Sequence, residues 1–196
     1  MPNMMMAATT MVNNNTGNTS ITLTAGTATE IAMDNKVVST DTDVLDADLA
    51  NNGIKLKKTG WYLVWGSTNL KMNTSLGFVS FTSQMYLDPG GVGSPAAVSH
   101  AVGETCQLQY DAANSLVEVF ATSGLTPVPI EVTTANSVLT IRGHVIYVYD
   151  DAFTDATTVA ATSAKDGDSN GLGFAPGSAK GTSFIAATYL ADATLP

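Results

Sequence analysis

Alternating apolar and polar runs between positions 20 and 150, turn signals between them, and the lack of long amphipathic helices predict an all-β chain. Seven or eight strands over about 130 residues fit a β-sandwich, most naturally a jelly roll, here with extended N- and C-terminal arms. A parallel α/β architecture is excluded, because it needs a helix between successive strands.

The strands follow in order. Ile21, Leu23 and Ala25 alternate with Thr22 and Thr24. Thr40 to Leu49 is the one stretch with the look of a short helix. Trp61, Leu63 and Trp65 share one face of the next run, and Tyr62 and Val64 share the other. Val79, Phe81, Met85 and Leu87 alternate with Ser80, Thr82, Gln84 and Tyr86; Cys106, Leu108 and Tyr110 alternate with Gln107 and Gln109. Leu116 to Phe120 is a short mixed run, Val128, Ile130 and Val132 alternate with Pro129 and Glu131, and Leu139 to Tyr149 closes the set. Successive strand side chains point to opposite faces, so a period of two marks a sheet with one face buried. Turns are predicted at Asn51-Asn52-Gly53, Asp88-Pro89-Gly90-Gly91, Gly124 with Pro127, and Ala135-Asn136-Ser137.

Composition divides the chain into three spans. Residues 1–19 form a Met- and Asn-rich arm, residues 20–150 the patterned sandwich, and residues 151–196 an arm rich in Ala, Thr, Gly and Ser. The arms have too few apolar residues to build a core of their own. Their apolar side chains, notably Met4, Met5, Met6, Phe174, Phe184, Ile185, Tyr189 and Leu190, are therefore expected to bind a partner.

Eight Lys plus Arg against seventeen Asp plus Glu give a net charge of -9, and Arg142 is the sole arginine. A protein that grips nucleic acid needs clustered cations to release counterions, so no nucleic acid is expected as a partner. An anionic membrane surface is equally unsuited, and no apolar stretch approaches a spanning length. Met1 to Val12 holds no Lys or Arg, a poor signal peptide, so synthesis in a cytoplasm is expected, and the sequons at Asn14, Asn18 and Asn73 then carry no meaning. The lone Cys106 excludes an intrachain disulfide and any Cys-based zinc site; at an inward strand position it reads as a small hydrophobe.

Catalytic signatures are missing. The two imidazoles, His100 and His144, read as a loop histidine and a hydrogen-bonded strand histidine. The sequence has no G-x-S-x-G elbow, H-E-x-x-H pair or P-loop, so no enzyme and no organic cofactor is expected. Asp166-Gly167-Asp168-Ser169-Asn170-Gly171 matches the first half of a calcium loop, with oxygens from Asp166, Asp168 and Asn170 and a glycine at the sixth position. Position twelve is Gly177 rather than Glu and no helix flanks the string, so a flexible loop is the competing reading. The acidic string from Asp41 to Asp48 reads as a solvated face, and Lys55-Leu56-Lys57-Lys58 as a strand end or a contact to an acidic neighbour.

Three segments carry a resemblance. Gly53-Ile54-Lys55-Leu56-Lys57-Lys58-Thr59-Gly60-Trp61-Tyr62-Leu63-Val64 resembles the stretch of tumour-necrosis-factor/C1q-like jelly rolls in which a strand and a glycine turn lead into an aromatic strand. Val102-Gly103-Glu104-Thr105-Cys106-Gln107-Leu108 is similar to their later turn and strand, and Ser137 to Val145 to their closing strand. The resemblance covers roughly residues 50 to 150 and implies a homotrimer. Such domains serve as extracellular ligands and, in similar form, as decoration proteins on phage heads. The arms favour the second use: a capsid decoration or cement protein on the virion surface, stabilising a bacteriophage head by bridging copies of the major capsid protein. The alternative is a C1q/TNF-like trimeric module that recognises a receptor or glycan.

Overall fold

The computed structural model describes residues 7–14, 20–72, 78–109, 120–149, 155–156, 158–163 and 183–192. In chain order the strands are β1 (Thr9–Asn13), β2 (Ser20–Thr24), β3 (Ala28–Glu30), β4 (Asn35–Ser39), β5 (Leu45–Asp48), β6 (Gly53–Leu56) and β7 (Gly60–Met72). They continue as β8 (Phe78–Asp88), β9 (Ala96–Gln109), β10 (Phe120–Val132), β11 (Ser137–Tyr149), β12 (Asp155–Ala156), β13 (Thr158–Ser163) and β14 (Phe184–Ala191). All pairings are antiparallel and form two sheets, the predicted all-β jelly-roll sandwich.

Each sheet is built around one long strand. In the first, β7 pairs with β10 along one edge and with β14 and then β13 along the other; β14 continues to β1 and β4, and β13 to β2. In the second, β11 pairs with β8 on one side and with β6, β3 and β12 in succession on the other; β8 leads on to β9 and β6 to β5. Alternation supplies the core between them. Tyr62 and Val64 of β7, Ile130 and Val132 of β10, Phe81 and Met85 of β8, and Leu139, Ile141 and Val145 of β11 are all buried.

One inward position on β8 is polar. Ser83 lies on the same face as Phe81 and Met85, and its hydroxyl sits 2.6 Å from that of Thr68 on β7. Its backbone N–H donates to Ser123 Oγ on β10 at 2.7 Å, and its own hydroxyl donates to the Ser123 carbonyl at 2.7 Å. These bonds cross from one sheet to the other and let buried hydroxyls replace the water they lose.

The structure departs from the sequence reading at several places, three of which concern whole segments. Thr40 to Leu49 is not a helix: residues 42–44 turn, β5 follows, and a single 3-10 turn spans Leu49–Asn51. The Asp41 carboxylate accepts the Asp43 N–H at 3.0 Å, a local bond that competes with helix, while Leu45 enters the core. Gly124 and Pro127 do not end a strand but lie inside β10, where the register with β7 shifts between Leu125 and Val128. A bulge on a strand that pairs on one side accepts a proline, which has no N–H to give.

The third departure concerns the arms. β1 falls within residues 1–19, and β13 and β14 fall within 151–196, so both spans contribute strands to the sandwich. β14 lies between β7 and β1, and Ile185 and Ala187 are fully buried in the core. The boundaries at 19 and 151 therefore do not separate arm from core. Ala and Thr suit a tight interior as well as an extended tail, so composition alone could not tell the two apart.

Candidate binding surfaces

Strand parity assigns the predicted partner residues. On β14, Ile185 and Ala187 face inward with Tyr189, whose ring meets that of Tyr62 edge-on at 5.1 Å between centroids. Tyr189 O–H donates to the Asp192 carboxylate, and burial together with that neighbouring charge pushes its pKa up to about 12. Phe184 and Leu190 occupy the opposite parity; Phe184 is half-buried and Leu190 is 50% exposed. Ile185 is thus a core residue and not a partner contact, a correction of the sequence reading, and Tyr189 is half-buried with its ring packed against the core. Met4, Met5, Met6 and Phe174 lie outside the described residues, as do the calcium candidates Asp166, Asp168 and Asn170. Among the described residues no three His, Cys, Asp or Glu side chains converge as metal ligands would.

The outer face of the first sheet is apolar along one line. Register places Trp65 of β7 beside Ala186 of β14, Ala186 beside Met11 of β1, and Met11 beside Val38 of β4. Trp61 and Leu63 share the parity of Trp65 and are half-buried, while Val37 and Val38 are 49% and 39% exposed. The row crosses four strands without a charge. Charges gather beyond it, at Glu131 on β10 and at Lys36 on β4, whose ammonium lies 3.5 Å from Asp46.

The outer face of the second sheet is mixed: Val102 of β9 and Ile146 of β11 are exposed, and a polar cluster surrounds Arg142. Arg142 of β11 lies beside Glu30 of β3 in register, with Nη2 donating to Glu30 Oε2 at 3.3 Å and the guanidinium 4.4 Å from the centre of the Tyr86 ring. Asn52, in the left-handed conformation with φ of 53°, donates from Nδ2 to Glu30 Oε1 at 2.8 Å. At the far end of the same face the Asp88 carboxylate accepts the backbone N–H groups of Val92, Gly93 and Ser94 at 3.2, 2.7 and 3.2 Å. The sequence reading gave Asn52 and Asp88 only as turn residues and Tyr86 only as a strand residue, and it did not single out Glu30. The Asn-Asn-Gly and Asp-Pro-Gly-Gly turns that it marked are what position Asn52 and Asp88.

The groups with potential chemistry stay apart. His100 lies on β9 and not in the loop the sequence reading gave it; it is exposed, with Nε2 2.9 Å from the Pro129 carbonyl oxygen, and His144 is half-buried on β11. Cys106 is half-buried, and burial followed by the Glu104 charge raises its pKa, which suppresses the reactive thiolate.

No family model and no curated protein matches this chain. Among solved structures it is similar to murine APRIL, at 10% identity and a TM-score of 0.50 over 94% of this chain and 100% of that one. It is also similar to the Eiger TNF of S. frugiperda, at 12% identity and a TM-score of 0.49 over 97% and 96% of the two chains. Sheet order and the likeness to APRIL define the class of the fold, a TNF-like jelly roll.

Proposed function

We propose that the chain is a non-catalytic binding module that assembles with two further copies of itself through the outer face of its first sheet. The observation that carries this reading is the uncharged row Trp65, Ala186, Met11 and Val38 on the outer parity of the first sheet, in which Val38 is exposed, Trp65 and Met11 are half-buried and Ala186 is buried. Self-association through a cyclic axis covers such a stripe with identical stripes. Burying each large side chain contributes on the order of 1.5–3 kcal/mol before ordering costs. The TNF-like fold supports three copies, as the sequence resemblance implied, and leaves the second sheet and its turns free to meet a receptor or glycan.

Attachment to a major capsid protein on a virion is the narrower reading, and its support came from the arms. With β1 and β14 in the sheet, that support shrinks to Phe184, Leu190 and residues outside the described ones, so the module reading is preferred. Sedimentation velocity of the full chain at micromolar concentration tests it. A trimer is expected, and Met11→Asp, which places a carboxylate in the middle of the row, is expected to give monomers. A wild-type monomer at that concentration overturns the reading.

A further inference from the structure

A cleft of ≈ 390 Å³ opens on the outer face of the second sheet, between the turn at Leu49–Asn51 and the loop that follows β8. Its floor is β11, where Val138 and Thr140 take the outer parity while Leu139 and Ile141 enter the core. Glu30 and Asn52 form one wall, and Asp88 and Pro95 the other. Gly53 lies opposite Thr140 in register and lets β6 approach β11 closely beside the floor. A Cβ there would stand 2.2 Å from the Leu139 carbonyl oxygen and 3.1 Å from Thr140 Cγ2, so no larger residue fits.

Two of the lining side chains are more than nine-tenths buried and polar. Thr140 is 5% exposed; its hydroxyl is itself shut off from solvent beneath the floor and has no hydrogen-bond partner among the described residues, so the residue gives the cleft its surface but not its hydroxyl. Asp88 is 8% exposed and fixed by its three backbone N–H donors, so its carboxylate is preorganised. Glu30 is held in turn by Asn52 and Arg142. The cleft is therefore rigid and rich in acceptors before anything binds.

The chemistry of the lining narrows the ligand. It holds two carboxylates and no Lys or Arg, which disfavours phosphate, sulfate and carboxylate ligands. Arg142 offsets Glu30 and three backbone dipoles offset Asp88, which weakens the pull on a cation. What remains is the spare acceptor capacity of the two carboxylates, which suits hydroxyl donors, and apolar contact at Val138 and Pro95. The volume lies within the ~300–1,000 Å³ of small-molecule sites. We infer that this cleft binds a neutral sugar, either free or at the end of a glycan.

The inference rests on the binding-module reading for its purpose and not for its geometry, since every lining residue belongs to one chain. A monomer that binds sugar keeps this inference and removes the assembly. Saturation-transfer NMR of the full chain tests it with D-glucose, D-galactose, D-mannose and N-acetylglucosamine as probes, and with methylammonium and inorganic phosphate as charged controls. Transfer to at least one sugar and to neither control is expected. Glu30→Gln, which keeps shape and removes the carboxylate charge that hydroxyl donors meet, should weaken binding at least tenfold. Ala50→Phe, at the exposed rim, should block the cleft without touching the core, and it decides the matter should Glu30→Gln fail to fold. Transfer to no sugar, transfer to a charged control alone, or full sugar binding by a folded Ala50→Phe overturns the inference.

Discussion

On the first sheet the outward row Trp65, Ala186, Met11 and Val38 is apolar across four strands. On the second, the outward positions of β11 are Val138, Thr140 and Arg142, and their neighbours are Asp88, Tyr86 and Glu30. The inner faces of the two sheets are alike, both lined by Val, Leu, Ile and aromatic residues. One parity of an alternating strand thus secures the core, and the other is free to be assigned a chemistry. Here one sheet is suited to a copy of itself and the other to a small polar ligand.

The comparison fails first if the first sheet is not held together by its C-terminal strand. Removing residues 184–196 takes away the strand between β7 and β1, with the buried Ile185, Ala186 and Ala187. The lost burial and pairing compete with a total stability of about 5–15 kcal/mol. No cooperative melting transition by circular dichroism is expected. A truncated chain that melts cooperatively near the wild-type temperature would restore this segment to the status of an arm.

A finer contrast sets the two parities of β14 against each other. Ile185→Ala should cost about 2–5 kcal/mol in chemical denaturation, because it empties a fully buried site. Phe184→Ala on the outer parity should cost less than half as much in the isolated subunit. Equal costs would mean that the outer face is itself core.

Alkali should weaken the inner face. Burial pushes the Tyr62 phenol from 10.0 up to about 12, with its O–H donating to the Lys58 carbonyl at 2.8 Å. The folded chain therefore keeps a proton that the unfolded chain releases. Stability is complete below pH 10 and falls as the pH rises towards about 12. Tyr62→Phe should flatten the decline in part, with Tyr189 accounting for the rest. An unchanged slope between pH 10 and 12 in denaturant titrations would contradict this.

The smallest effect belongs to the rim of the first sheet. Burial pushes the Asp46 pKa up, but the Ala47 N–H and the Lys36 ammonium outweigh it and leave the carboxyl below its ordinary value. Its contribution is present above the unfolded pKa and disappears as the pH falls through the folded one. Lys36→Ala should cost no more than about 1 kcal/mol, because both partners are solvent-exposed, and salt should reduce that further.

Legibility in the sequence followed the contrast between neighbouring residues. Trp61 to Trp65 and Val79 to Leu87 alternate sharply, and their parities are those of the structure. β14 alternates Ile185, Ala187 and Tyr189 with Ala186 and Thr188, small residues that fit either side, so the pattern is faint. The short strand β3 owes its place to long-range partners, Arg142 among them, that no local window contains. The cleft was the least visible part. It is assembled from β3, two turns and β11, whose lining residues stand up to 110 positions apart, Glu30 to Thr140. Only the turn residues that shape its rim had a local signature.

The central claim is that the outer face of the first sheet is covered by further copies of the chain. Both tryptophans of the sequence, Trp61 and Trp65, lie on that face, so their fluorescence reports on it alone. Acrylamide quenching at micromolar concentration, compared between wild type and Met11→Asp, is the direct measurement. The account predicts protected, blue-shifted emission in the wild type and readily quenched emission in the variant; equal quenching of two well-folded proteins would contradict it.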